Sequence, residues 1–379
     1  MPPKTTDIFC TVIDNFGDIG VCWRLAKQLQ QEYRFTVRLW VDDLASFAKL
    51  EPSLLVNKSS QHCKNIEIRY WPTENFPTDI QPYEIVIEGF GCRLPESFLQ
   101  AMATQASKAI WLNLEYLSAE TWTLGCHGLS SPHPSLPLKQ TFFFPSFDEQ
   151  GGGLLRESNL LTARDLFQYD KSVQADFWQS LGYADAMLAY YRLSLFAYEN
   201  NAIPALLTAL SQQHDHCFLA VPEGRALANI NTWAKQTLRA GDSISVGSLT
   251  LGVLPFLSPE QYDQLLWACD VNLVRGEDSF IRAHWAAQPL LWHIYQQEEN
   301  AHLDKLEAWL TISKNFISED WQNLQRAWVN EHHDVALWAT LLPLLATTRA
   351  EQRFFSASLA QHDDLCHKLV RFCTKHDAI

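Results

Sequence analysis

Short apolar runs rich in β-branched and aromatic residues, at 8–13, 36–41, 66–70, 85–88 and 110–114, recur along this chain with helix-patterned segments between them. That alternation marks βαβ units, whose parallel strands need crossover helices and are buried on both faces. A second series runs through 188–197, 217–221, 249–256, 271–274 and 290–294, separated by helical stretches at 202–212, 259–268 and 280–287. Loop punctuation lies between the two series: Pro132, Pro134 and Pro137, then Gly151-Gly152-Gly153. At 379 residues and 47% hydrophobic content, the chain exceeds what one core usually supports. Two facing α/β halves are therefore expected, 1–182 and 183–350, with a C-terminal helix within 351–379 packing back on the first. From about Asp320 onward the pattern is helical without strands. Facing halves of this kind place a ligand cleft between the carboxyl edges of their sheets.

The turn after the first strand carries the most chemistry. Ile13-Asp14-Asn15-Phe16-Gly17-Asp18-Ile19-Gly20-Val21 joins an apolar run to a helix pattern, and puts Asp14 and Asp18 at the carboxyl edge. It is not a dinucleotide fingerprint, because only Gly17 and Gly20 stand where three glycines are needed, and it is not a P-loop, because no Gly-Lys-Ser/Thr follows. Two carboxylates at a helix mouth repel phosphate and suit a cationic or hydroxylated group. The residues leave a second reading open, in which Asp14 caps the helix and Asp18 is solvated.

Asp270-Val271-Asn272-Leu273-Val274-Arg275-Gly276-Glu277-Asp278-Ser279-Phe280 repeats that geometry in the second half with the opposite charge logic. A buried strand ends at Val274, Gly276 makes the turn, and Asp278 or Ser279 starts a helix. The N–H groups and dipole at such a helix start bind anions without a metal, and Arg275 adds a guanidinium. Glu277 suits sugar or ribose hydroxyls rather than phosphate. An ordinary capped helix start is the competing explanation. Ser258 and Pro259 likewise read as the cap and first residue of a helix. Phe256 before them is either core or a ring presented to a base. Phe196 and Tyr198 end the first strand of the second half, where a phenol reaches a phosphate or sugar. His293-Ile294-Tyr295 also lies at a strand end.

A net charge of −14, with no basic cluster interleaved with aromatics, argues against nucleic-acid binding and favours a cationic partner. No segment reads as a signal peptide or membrane span, so a cytoplasmic protein that neither enters nor crosses a membrane is expected. Nine cysteines without a C-x-x-C pair read as reduced thiols, and the thirteen histidines show no zinc-site spacing. No metal or cofactor is expected.

Taken in order, the first turn, Asn113-Leu114-Glu115-Tyr116-Leu117-Ser118-Ala119-Glu120, Gly152-Gly153-Leu154-Leu155-Arg156-Glu157, Arg275-Gly276-Glu277-Asp278-Ser279-Phe280 and His293-Ile294-Tyr295 resemble the EarP family, the bacterial protein-arginine rhamnosyltransferases that modify elongation factor P. The resemblance runs nearly end to end. It implies a GT-B fold of two facing Rossmann-like domains, the first an acceptor domain for elongation factor P and the second a donor domain for dTDP-β-L-rhamnose. It further implies transfer of L-rhamnose to an arginine with inversion, which activates the factor for rescue of ribosomes stalled at polyproline. Carried over position by position, Asp18 is the catalytic carboxylate and Asp14 its supporting neighbour, with Asn15, Phe16 and Gly17 forming the acceptor-side turn. Phe256 is the thymine-stacking ring; Arg275, Gly276, Glu277, Asp278 and Ser279 form the diphosphate and ribose site, with Phe196 and Tyr198 nearby. Two other readings share that donor site: a transferase or epimerase acting on a small-molecule or lipid acceptor, and a non-catalytic nucleotide-sugar binding protein.

Overall fold

The computed structural model describes residues 4–13, 16–72, 74 and 76–376, so Asp14 and Asn15 lie outside the described residues. The chain divides into two compact units, residues 1–158 with 362–379, and residues 159–361.

The first unit is built on eight strands, β1 (Thr5–Cys10), β2 (Thr36–Val41), β3 (Ser60–Cys63), β4 (Ile66–Tyr70), β5 (Ile85–Gly89), β6 (Ile110–Leu114), β7 (Ser130–Pro132) and β8 (Lys139–Phe143). They lie in the order β3-β4-β2-β1-β5-β6-β8-β7. The inner six are parallel, and β3 and β7 close the edges as antiparallel partners of β4 and β8. Because the chain turns outward in both directions from β1, the gap between β1 and β5 is the switch point at which open α/β sheets receive ligands.

Side-chain alternation explains why this sheet is covered on both faces. Ile8, Leu39, Ile87 and Leu112 point to one core, whereas Phe9, Trp40, Val86 and Trp111 point to the other. The first core is capped by the helix Gly17–Tyr33 through Trp23, Leu25 and Leu29, and the second by the helix Glu96–Thr104 through Phe98 and Met102. The strand expected at 8–13 has the same length but is displaced by three residues, to Thr5–Cys10. Beyond Cys10 the backbone leaves the ladder because side chains take its donors: Val12 N–H goes to Asp42 Oδ1 at 2.9 Å, and Ile13 N–H to Asp18 Oδ2 at 2.9 Å.

The second unit has six strands, β9 (Tyr191–Leu195), β10 (Cys217–Pro222), β11 (Ser243–Val246), β12 (Leu249–Leu254), β13 (Val271–Arg275) and β14 (Leu290–His293), ordered β11-β12-β10-β9-β13-β14. All pairings are parallel except β11 with β12. Its switch point falls between β9 and β13.

The units divide at 158 and 361 rather than at 182 and 350. Helices Leu160–Tyr169 and Lys171–Ser180 belong to the second unit, since Phe167, Phe177 and Trp178 share a core with Tyr183, Phe218, Leu254 and Leu265. The long helix Leu341–Leu359 also falls within the second unit's residues. The helix Leu365–His376 belongs to the first unit, with Leu365, Cys366, Leu369 and Cys373 in the core that holds Ile8 and Leu29.

The glycine run at 151–153 makes that return possible. Gly153 has φ +77, and a Cβ there would sit 2.6 Å from the Asp363 carbonyl oxygen. Next to it, Leu365 N–H donates to Leu154 O at 3.0 Å. Gly153→Ala should therefore cost ~1–3 kcal/mol through backbone strain and the clash. Thermal unfolding reads this as a Tm several degrees lower, and an unchanged Tm contradicts it.

Candidate active site

In the second unit, β13 ends at Arg275, whose register partner on β14 is His293. Gly276 follows with φ +64, a left-handed turn that a glycine makes without steric cost, and the helix Asp278–Ala286 begins two residues later. The turn is held from below. Trp292 Nε1 donates to Gly276 O at 2.8 Å, and the Trp292 ring stacks on Phe280 with centroids 3.8 Å apart. The N–H groups of the first helical turn lack intrahelical partners of their own and carry the positive end of the dipole. Glu277 and Asp278 are half-buried, and Ser279 is buried.

The Arg275 guanidinium is gripped by two rings, lying 4.6 Å from the centroids of both Phe196 and Tyr198, which follow β9. Arg225, after β10, stands 5.9 Å from the same Tyr198 ring. Tyr198 packs edge-on against His293 at 5.3 Å and Tyr295 at 5.5 Å. Burial, and secondarily the charge of Arg275, pushes the His293 imidazole down to about 4, so it is neutral near pH 7 and adds no competing cation. Phe256 is 41% exposed and is therefore not a core side chain. It precedes a complete capping box, in which Ser258 Oγ accepts from Gln261 N–H at 3.2 Å and Gln261 Oε1 accepts from Ser258 N–H at 3.0 Å. The structure thus brings Phe196, Tyr198 and Arg275 into contact. It places Gly276, Glu277, Asp278 and Ser279 on the turn after β13, and puts Phe256 after β12, two strands from β9 and three from β13 along the same carboxyl edge.

In the first unit, Asp18 lies in the first turn of its helix and is 4% exposed, so the solvated alternative does not hold. Its Oδ2 accepts from Ile13 N–H at 2.9 Å, and its Oδ1 accepts from the Tyr116 hydroxyl at 3.2 Å. Phe16 occupies the N-cap position with no side-chain cap, and Gly20 N–H closes the first turn onto Phe16 O at 2.9 Å. Gly17 opens the helix. Across the switch point, Glu88 is buried and its carboxyl is raised above the usual range by that burial. Arg93 N–H, Trp111 Nε1 and Gln140 Nε2 donate to it, which marks it as a structural acid supporting the loop after β5. Among the described residues, no three His, Cys, Asp or Glu side chains converge as a metal cluster.

Sequence reasoning gave no role to Tyr116, Phe90 or Arg225. Tyr116 lies within a quoted motif, so a signal was present; the other two are joined to the site only by folding.

The family model described as "Elongation-Factor P (EF-P) rhamnosyltransferase EarP" matches residues 6–374. The chain belongs to this family. It is 44% identical to the protein-arginine rhamnosyltransferase of Pseudomonas putida over 373 residues, covering 97% of this chain and 98% of that protein. A solved structure, reported as the structural basis for EarP-mediated arginine glycosylation of translation elongation factor EF-P, matches with a TM-score of 0.70 and 34% identity, covering 98% of this chain and 99% of that one. A glycosyltransferase from Rickettsia africae matches with a TM-score of 0.52 at 10% identity, covering 99% of each chain, a likeness of fold alone. The fold is GT-B.

Proposed function

We propose that this elongation factor P rhamnosyltransferase draws L-rhamnose from dTDP-β-L-rhamnose and joins it to an arginine side chain with inversion. The second unit serves as the donor domain and the first as the acceptor domain. The observation that carries this reading is the clamped Arg275, a fixed guanidinium held between two rings at a sheet switch point and followed by a helix start that has no side-chain cap. Such a site suits a nucleoside diphosphate whose negative charge grows as the glycosidic bond loosens.

Arginine is a poor nucleophile. Its guanidinium titrates above about 12, roughly eight units from an ordinary carboxylate, so complete prior deprotonation costs on the order of 11 kcal/mol. Asp18 instead orients the guanidinium by hydrogen bonding and accepts its proton only as the C–N bond forms and acidifies that nitrogen. Asp14 is its supporting neighbour, and Asn15, Phe16 and Gly17 form the turn toward the acceptor. The anomeric C–O bond breaks to release dTDP, whose charge is taken up by Arg275 and the first-turn N–H groups at Asp278 and Ser279. Glu277 receives ribose hydroxyls, and the Phe256 ring stacks on thymine, with Phe196 and Tyr198 holding Arg275 in place. One attack opposite the leaving group inverts the anomeric centre without a covalent sugar intermediate.

The enzyme works in the cytoplasm, where the modified factor rescues ribosomes stalled at polyproline. Among the described residues, no helix is long and apolar enough to cross a membrane. Arg275 supplies the positive charge a metal otherwise provides at a diphosphate, so transfer is expected to persist at its full rate in excess EDTA. The deciding experiment is mass spectrometry of elongation factor P incubated with this protein and dTDP-rhamnose. One deoxyhexose on one arginine supports the reading, and an unmodified factor rejects it.

A further inference from the structure

The motif at 113–120 has no part in the chemistry described so far, yet it brings Tyr116 directly to Asp18. Strand β6 ends at Leu114, and Glu115 N–H then donates to Phe143 O at 2.9 Å, so sheet pairing continues to the residue before the tyrosine. The Tyr116 hydroxyl donates to Asp18 Oδ1 at 3.2 Å. Its ring stacks on Phe90, with centroids 4.6 Å apart and planes 18° from parallel.

Phe90 is held in a conformation that phenylalanine rarely adopts, with φ +57. Three bonds hold that bend: Phe90 N–H to Leu114 O at 2.7 Å, Gly91 N–H to Asn113 Oδ1 at 3.1 Å, and Arg93 N–H to Glu88 Oε1 at 2.7 Å. Asn113 is fixed in turn by donating from Nδ2 to Glu115 Oε1 at 2.6 Å. A strained residue maintained by so many partners points to a local task. Here the strain supports a ring pair whose outer member, Tyr116, stays 37% exposed, so core packing does not account for it.

We propose that Tyr116 is a positioning residue of the acceptor side, whose hydroxyl fixes the Asp18 carboxylate and whose ring is the surface on which the acceptor guanidinium lies. A guanidinium is planar and weakly hydrated, so it stacks on an aromatic face while donating N–H bonds to a carboxylate beside it. Ring and carboxylate together would hold the arginine and aim one nitrogen. This inference rests on the reading of Asp18 as the proton acceptor.

The test compares Tyr116→Phe, Tyr116→Ala and Asp18→Asn in steady-state kinetics, varying elongation factor P and dTDP-rhamnose separately, with thermal unfolding to check the fold. Tyr116→Phe keeps the stacked ring and should lower kcat about ten-fold while leaving the KM for elongation factor P within about two-fold. Tyr116→Ala should lower kcat similarly and also raise that KM by about ten-fold. Neither should move the KM for dTDP-rhamnose. Wild-type kinetics in Tyr116→Phe beside an inactive Asp18→Asn overturn the proposal but spare the Asp18 reading. Near wild-type rates in both overturn both. A Tyr116→Ala enzyme whose two KM values rise together also overturns the proposal.

Discussion

Asp18→Asn is expected to lower rhamnosylation of elongation factor P by roughly 10²–10⁴-fold, the range associated with loss of a positioned proton acceptor. The fold should survive, because the amide can meet the two partners described above. Its oxygen can accept from Ile13 N–H in place of Oδ2, and its NH₂ can donate to the Tyr116 hydroxyl, which is able to accept as well as donate. What the amide cannot do is take a proton or balance the charge of a guanidinium. The proposed donor site lies in other residues, so calorimetry with dTDP should return an affinity close to wild type. Product formation near the wild-type rate would remove Asp18 from the mechanism. An equal loss of dTDP affinity would mean that the residue supports the donor instead.

The position of Asp18 illustrates what the sequence made legible. Its motif showed that a carboxylate-bearing turn follows the first strand. The motif did not show that the strand stops at Cys10, because that depends on Asp42 and Asp18 competing for the backbone donors of Val12 and Ile13. Hydrophobic period reports which face is buried and says little about such side-chain competition. The inner parallel strands were mostly visible for the same reason that the edges were not. Ile85–Gly89 and Val271–Arg275 are buried along their whole length, whereas Ser60–Cys63 and Ser243–Val246 are largely exposed and gain strand structure only by pairing with a neighbour.

At the proposed donor site, the charge of Arg275 and the turn at Gly276 could be read locally, as could the Ser258 cap. The grip of Phe196 and Tyr198 on that guanidinium could not, because it joins β9 to β13 across intervening strands in the sequence. The unit boundary was misplaced for a related reason. Residues 159–182 follow the first series of strands directly and were expected in the first half, and only the shared core of their helices with Phe218 and Leu265 assigns them to the second unit.

The other large expected effect is on that grip. Arg275→Ala removes the one side-chain cation shown held between the Phe196 and Tyr198 rings, and dTDP affinity should fall by about 30-fold or more, since truncating a buried charge that meets an opposite charge costs ~2–5 kcal/mol. Arg275→Lys keeps the charge but loses the planar face that stacks between the rings, so its affinity should lie between those of Ala and wild type. Phe256→Ala should cost less, about ten-fold, as expected for loss of one base-stacking ring of ~1–3 kcal/mol. Titration calorimetry with dTDP gives all three values, and unchanged affinity in both alanine variants would move the donor site elsewhere. The kinetic consequence separates Arg275 from Asp18. If Arg275 also stabilises the charge that develops on departing dTDP, saturating donor will not restore kcat in Arg275→Ala, whereas a residue that only binds the ground state would be rescued by excess substrate.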